Sequence, residues 1–430
     1  MAGEAFRRFM STWRRILLSA GRGTPARDAF LRLARRRSSE RSSRRGSPLA
    51  RNVRSPSVVS MNRELAAMIT LANRLVASGI PGTLSTLFAA RGSTYRTLGA
   101  MMVSLPGIHA GGISGGCLEE HVARAGARAT QDAPAVMLRF STHPDSDDDA
   151  PILGCGGSID VLVERLTADH VTLLEEFASA SERDECALLA CVVRRAGQTL
   201  SVRREWLGAA DGARCVTPDL GRIYGEVARE ARSRHAALDS DADVLVQYVP
   251  PVTRLLIFGA GDDAQPLCEI GALLGWHVSV ADRRARLATP VRFPHAQAVV
   301  AGDWHEAVAA LGFSPRTAVV LMTHSLEDDA QVLSLLARRQ VSYIGALGPA
   351  HRRQWLLEEV DALGGWLNDD LRLKVRGPIG LDLGDRSAAG IAVAVAAEVL
   401  AHLNARDAQP LHTQADPIVA QVRPGDCRVA

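Results

Sequence analysis

TRLLIFGAGDDA, residues 253–264, is the stretch that decides the fold. The apolar run Leu255 to Phe258 reads as a strand and stops at Gly259, and the pattern G-x-G-x-x-A continues through Gly261 to Ala264 at the start of a helical stretch. In such a strand–turn–helix unit the first glycine makes the tight turn and the second lets the backbone approach a pyrophosphate. The helix N-terminus adds free N–H groups and partial positive charge. Asp282 ends the next strand, 21 residues after Gly261, where a carboxylate meets a ribose 2′-hydroxyl in dinucleotide-binding folds. Asp262 and Asp263 follow the turn and would repel a phosphate unless they face away. The turn therefore predicts a Rossmann-type scaffold and leaves its ligand open between NAD(P) and another group.

Downstream, short apolar runs alternate with helical stretches. TRLLIF, HVSVA, AQAVVA, AVVLMT and SYIGAL are rich in Val, Ile and Leu, and helices are expected over 263–274, 304–312, 326–340 and 350–363. Buried strands alternating with helices of this length predict a doubly wound parallel sheet with helices on both faces, over residues 254–404. His324 follows the strand VVLMT at the carboxyl edge, where open α/β sheets bind ligands, with Asp328 and Asp329 beside it. The two acids equally suit the start of the next helix. Gly345 and Gly348 in YIGALGPAHRR precede Arg352 and Arg353, a candidate oxyanion or phosphate grip. GPIGLDLG holds Asp382 before the last helix, and residues 405–430 are polar, Pro-containing and expected to be loose.

Upstream, residues 61–249 read as a mixed α/β domain, bounded by Pro250–Pro251 as an extended connector. MNRELAAMITLANRLVASG has helical spacing, and GTLSTLFAA, AMMVSL, AVMLRFS and SIDVLVERL read as strands. A helix, the hairpin CALLACVVRR/QTLSVRR, a loop and the strand VLVQYV follow. Two Gly-rich loops carry cysteines. In GGISGGCLEE, Cys117 follows Gly115 and Gly116 and should open a helix whose first turn holds Glu119 and Glu120. A thiolate is favoured there by the helix dipole and free N–H groups. ILGCGG frames Cys155 with Gly154, Gly156 and Gly157. If the two loops converge, two thiols would face one soft ligand; otherwise one is reactive and the other a bystander. Cys186, Cys191, Cys215, Cys268 and Cys427 read as core or incidental residues, and C-x-x-C and H-E-x-x-H zinc patterns are absent.

Composition sets the outer limits. The 430 residues are 47% hydrophobic and 23% charged, which excludes collagenous, mucin-like and wholly disordered chains. The net charge of +3 conceals a split. Residues 1–60 carry 15 arginines against Glu4, Asp28 and Glu40, a net of +12, while the other 370 residues hold 35 basic and 44 acidic side chains, a net of −9. The first segment reads as an Arg-rich arm too polar to repay its ordering entropy. Three origins compete: a nucleic-acid or lipid tether, a targeting segment, or an artefact of the start site, since the first ordered-looking helix begins at Met61. No aromatic pattern accompanies the charge, so nucleic-acid binding is not expected. No apolar run reaches the roughly 20 residues that span a bilayer. Cysteine usage, odd in number and scattered, points to a reducing cytoplasmic compartment.

Six motifs in this order, GGISGGCLEE, LGCGGSIDVLVE, LLIFGAG, MTHSLEDD, YIGALGPAHRR and GPIGLDLG, together resemble the XdhC/CoxI family, accessory factors of xanthine dehydrogenase and related molybdenum hydroxylases. The resemblance covers about residues 61–400. It implies a family N-terminal domain followed by a Rossmann domain, in a cytoplasmic chaperone that binds molybdenum cofactor in mono- or dinucleotide form. Such a factor protects the cofactor, presents it for sulfuration and passes it to the apo-hydroxylase. The implied partners are a xanthine dehydrogenase-like client and a cysteine desulfurase, and the chain is expected to be a homo-oligomer. The family's G-G-C-[LV]-E cysteine falls on Cys117, which would contact the cofactor's molybdenum, and its Rossmann turn falls on Gly259 and Gly261. Two positions depart from the family: Asp262 replaces the His after G-A-G, and Gly390 stands where an acidic residue is usual. The alternative reading is an NAD(P)-dependent oxidoreductase with His324 as its acid/base.

Overall fold

A computed structural model of the protein describes residues 63–92, 94–141, 158–197, 199–208, 218–364, 367 and 369–413. Residues 1–60, Met61 and the loop containing Gly154, Cys155 and Gly156 lie outside these, as do Cys215 and the tail beyond 413.

The chain enters on helix α1, Arg63–Ala77, which buries Leu65, Met68, Ala72 and Leu75 along one stripe. It closes with Ile80 N–H bonding the Leu75 carbonyl and Gly79 N–H bonding that of Val76, the Schellman closure of a helix C-terminus. Strands β1 (Thr83–Arg91), β2 (Met101–Leu105), β3 (Ile108–Gly111), β4 (Ala135–Ser141) and β5 (Ser158–Arg165) form an antiparallel sheet in the order β3-β2-β1-β5-β4. Alternation along the strands splits their apolar side chains between two layers. Leu84, Met101 and Val103 pack with α1 and with α3, Ala168–Ser181. Leu87, Met102, Val161 and Val163 pack against the helix α2, Glu119–Ala129.

A second antiparallel sheet, ordered β7-β6-β9-β8, contains β6 (Ala187–Ala196), β7 (Thr199–Gly208), β8 (Arg234–Ala237) and β9 (Ala242–Val249). Its Cys191, Val193 and Leu245 meet Phe88 and Leu162 of the first sheet. Its other face takes helix α4, Pro218–Glu230, through Ile223, Tyr224 and Val227. Sequence reading assigns a loop to the stretch between the β6–β7 hairpin and β9, whereas α4 and β8 lie there. The apolar residues of α4 (Leu220, Ile223, Tyr224, Val227 and Ala228) do recur at helical spacing, a pattern passed over among Gly221, Gly225 and the charged residues between them, whereas β8 is a four-residue edge strand with no fully buried side chain and left little to detect. Cys186 and Cys191 are not joined to each other by a disulfide.

The third sheet is wholly parallel. Strands β10 (Arg254–Phe258), β11 (His277–Asp282), β12 (Ala298–Ala301), β13 (Thr317–Leu321), β14 (Tyr343–Ala346) and β15 (Val375–Arg376) run in the order β12-β11-β10-β13-β14-β15. Renumbered from β10 this is 3-2-1-4-5-6, the doubly wound Rossmann order with its reversal between β10 and β13. Leu255 and Ile257 face α5 (Ala264–Leu273) and α10 (Ala388–Leu403). Leu256 and Phe258 face α6 (Trp304–Ala310), α7 (Leu326–Leu335) and α8 (Ala350–Ala362). Burial on both faces explains why these strands read as continuous apolar runs. The two-residue β15 follows α9, Asp369–Lys374, and is too short to leave a strand signal. Arg254 at the head of β10 pairs with Asp184 at 2.9 Å, tying the parallel sheet to the segment that precedes β6.

Candidate functional site

Residues 112–118 join β3 to α2, and a buried carboxylate organises them. Glu119, at the first helical position, accepts Ser114 N–H at 2.8 Å, the Ser114 hydroxyl at 2.6 Å, and the N–H groups of Ile113 and Leu118 at 3.2 Å each. Burial alone would raise its pKa. The bonds from Ser114 and Ile113 outweigh that, and the carboxyl is held below the ordinary glutamate value. A Cβ at Gly112 would sit 3.2 Å from the Glu119 carboxylate and 3.3 Å from the Arg96 guanidinium, so a larger residue there would crowd both. Arg96 in turn bonds Glu64 of α1 at 2.9 Å and the Ser114 carbonyl at 3.4 Å.

The loop so held exposes Gly115, Gly116 and Cys117. The Cys117 thiol is free and lies 3.5 Å from the Ser114 hydroxyl oxygen. That hydroxyl gives its proton to Glu119, so its lone pairs face Leu118 N–H and the thiol. The helix begins at Glu119 with Leu118 as its N-cap, two residues later than the sequence implies, so Cys117 precedes the cap. The arrangement presents a soft donor atom on an open glycine backbone, with a fixed carboxylate beneath it.

Gly154, Cys155 and Gly156 fall outside the described residues. Their flanking residues are placed: Ser141 pairs with Ser158, and Ser158 with Arg91. Met102 pairs with Gly111. The ends of β1, β3 and β4 and the start of β5 therefore lie at one end of the sheet, the end from which 92–100 and 112–118 also leave.

In the parallel sheet, Gly259 has φ +118°, and a Cβ there would collide with the Met322 carbonyl. The turn thus presses on the end of β13 as the motif demands. Asp282 is buried, and its carboxylate accepts Ala260 N–H at 2.7 Å and a two-pronged contact from Arg284 at 2.9 and 2.7 Å. Burial would raise its pKa, but Arg284 and the Ala260 N–H hold it below the aspartate norm. Both oxygens are therefore engaged within the protein. Over Gly261 stand the Asp263 carboxylate and His324, which face each other at 3.6 Å. Asp262 turns outward to Arg292 at 2.9 Å. His324 adopts the left-handed region at φ +66°, uncommon for a non-glycine residue.

The remaining predicted residues separate. Gly345 lies inside β14 with Ile379 filling the space over it, a packing position. Gly348 lies under the Arg352 side chain, which crosses it to reach the fully buried Asp329 at 2.8 Å. Burial raises the Asp329 pKa more than its bonds to Thr323 and Arg352 lower it. Asp328 bonds Trp304 and Arg283 instead. Asp382 is exposed in the loop before α10. Sequence reasoning passed over Ser114, Arg96, Glu64 and Arg292. None of the four left a local signal, since each gains its role from partners met only in the folded chain. Among the described residues no group of three or more His, Cys, Asp or Glu is placed to hold a metal ion, and no helix is long and apolar enough to cross a membrane.

Comparison with known proteins accords with this architecture. The profile described as "XdhC Rossmann domain" matches residues 255–399, and that of the "XdhC and CoxI family" matches residues 75–141. A Bacillus subtilis (strain 168) protein named as a probable xanthine dehydrogenase subunit is 25% identical over 334 residues, covering 77% of this chain and 96% of its own. "Molybdenum cofactor insertion chaperone PaoD" from Escherichia coli (strain K12) is 25% identical, over 75% of this chain and 83% of its own. The crystal structure of a xanthine dehydrogenase from Bacillus halodurans shares the fold, with a TM-score of 0.61 at 22% identity over 81% of this chain and 99% of that one.

Proposed function

Since the chain belongs to the XdhC/CoxI family, we propose that it is a non-catalytic maturation factor that binds molybdenum cofactor and inserts it into a molybdenum hydroxylase. The observation that carries this reading is the exposed Cys117 thiol on a glycine backbone held rigid by Glu119. A soft sulfur donor suits the molybdenum–sulfur end of the cofactor. A carrier must release its cargo, so a reversible contact through one thiol serves better than a closed coordination cage.

In the finer form of the proposal, Gly115, Gly116 and Cys117, with Gly154, Cys155 and Gly156, receive the metal end. The turn at Gly259 and Gly261, with His324, takes the phosphate or nucleotide end. The factor presents the cofactor for sulfuration by a cysteine desulfurase and hands it to a xanthine dehydrogenase-type client in the cytoplasm, acting as a homo-oligomer. The names of the B. subtilis and E. coli relatives support the client class and the cargo.

Anaerobic titration with molybdenum cofactor tests the reading. Binding by the wild type and its loss in Cys117→Ala are expected; undiminished affinity in Cys117→Ala would remove the thiol from the site. A parallel titration with NADH tests the oxidoreductase alternative, which needs tight binding and turnover of a small alcohol or keto-acid.

A further inference from the structure

Tyr95 is the exposed aromatic beside the Cys117 loop. It lies in the β1–β2 connection and is 79% exposed. One face of its ring is nevertheless occupied. The point where Gly115 would carry a Cβ lies 3.4 Å from Tyr95 Cγ and 3.5 Å from both Cδ1 and Cδ2. Near-equal distances to three ring carbons put the glycine against the face of the ring, not its edge. The opposite face is open to solvent.

The ring is also held in place. Arg96, the next residue, is tied to Glu64 of α1 and to the Ser114 carbonyl. The Thr94 hydroxyl donates to the Arg96 carbonyl at 3.0 Å, closing the turn around Tyr95. Arg96 thus joins loop 112–118 to the Tyr95 turn, and Gly115 of that loop, two residues before the exposed Cys117, lies against the covered face of the ring. An aromatic face kept in water forfeits the stabilisation of burial. Carried by a turn tied to the loop that bears an exposed sulfur, it is placed to receive a flat π-system at little entropic cost.

We infer that Tyr95 is a stacking platform that selects a ligand with a planar heterocycle, resting on the proposal that this site takes molybdenum cofactor, whose pterin is such a ring. The heterocycle covers the free ring face while the sulfur-bearing end of the ligand reaches Cys117. Gly115 backs the ring on its other side.

The experiment uses the full chain, as wild type, Tyr95→Phe and Tyr95→Ala, with thermal melts to confirm equal folding. One arm follows the quenching of fluorescence of free pterin, which carries no metal, dithiolene or phosphate. The other is the anaerobic titration with molybdenum cofactor. Stacking on an aromatic side chain is lost in the alanine variant and kept in phenylalanine, so Tyr95→Ala should weaken both ligands on the order of tenfold and Tyr95→Phe by less than about twofold. Equal pterin quenching in wild type and Tyr95→Ala overturns the platform, as does no quenching in the wild type. Either result, combined with cofactor binding that still depends on Cys117, leaves the maturation reading intact. Absence of cofactor binding by the wild type defeats that reading and the platform together.

Discussion

The Ser114 hydroxyl donates to the Glu119 carboxylate at 2.6 Å, and the same hydroxyl oxygen receives the Leu118 N–H at 3.2 Å. One side chain thereby closes the loop on itself and sets the surroundings of Cys117.

Glu119→Gln replaces a carboxylate that accepts from four donors with an amide whose nitrogen cannot accept. We expect a loss of about 2–3 kcal/mol in urea unfolding, since hydrogen bonds to a buried charge are worth roughly 1.5–3 kcal/mol. The folded-state pKa of Glu119 lies below the ordinary glutamate value of 4.5. Its contribution is therefore full above that value and fades as pH falls through the lower folded value. The stability gap between wild type and Glu119→Gln should close in acid. A gap that stays constant from about pH 7 down to about pH 3 would contradict this.

Between the two antiparallel sheets, Glu164 of β5 forms a two-pronged ion pair with Arg204 of β7 and also meets His170 at 3.4 Å. Burial works against the charge, but His170 and Arg204 prevail and hold the carboxyl at about 2. Arg204→Met strands a buried carboxylate and should cost about 3–5 kcal/mol, while the double variant with Glu164→Leu should recover much of it. In the wild type this pair supports stability above the unfolded glutamate pKa near 4.5, and the support drains away between there and about pH 2. Calorimetry across that window checks both statements.

Gly259→Ala and Gly345→Ala should behave differently. The new methyl at Gly259 meets backbone atoms of Met322 and Thr323, which cannot move, and φ is +118°. At Gly345 it meets chiefly the Ile379 side chain, which can repack. Gly259→Ala is expected to cost at least about 2 kcal/mol, through left-handed strain and collision, and Gly345→Ala about 1–2 kcal/mol through overpacking. Equal losses in urea melts would argue against the distinction.

Thiol labelling separates the described cysteines. Burial pushes the Cys191 thiol up to about 11 and that of Cys268 up to about 12, whereas Cys117 is exposed. In the folded protein, iodoacetamide should modify Cys117 at least about tenfold faster than Cys191 or Cys268, read by peptide mass spectrometry. Comparable rates at the three would mean that the loop is not open as described.

Much of this molecule was legible from local pattern. The alternation of buried strands and helices after residue 254, the Gly259 turn and the helix following Cys117 each depend on residues within a few positions of one another. Strand β8 escaped because it is a short strand at a sheet edge, whereas the stripe Leu220, Ile223, Tyr224 and Val227 of α4 was there to read and was passed over among glycines and charges. The candidate site was legible only in its backbone. GGISGGCLEE located the exposed thiol and the acids, but Ser114 gains its meaning only through the bond from its hydroxyl to Glu119.

By itself, then, the sequence determined a doubly wound parallel α/β sheet with a glycine turn at Gly259 and a glycine loop bearing Cys117, because period, turn chemistry and helix starts are short-range properties of the chain. Tertiary structure alone decided which groups hold those pieces still. Arg96 finds Glu64 across 32 positions, and Arg204 finds Glu164 across 40. It also turned Gly345 from a ligand grip into a seat for Ile379, and placed the face of Tyr95 on Gly115. Charge pairing and close packing act on distance in space, and residues far apart in the chain acquire that proximity only when the sheets assemble.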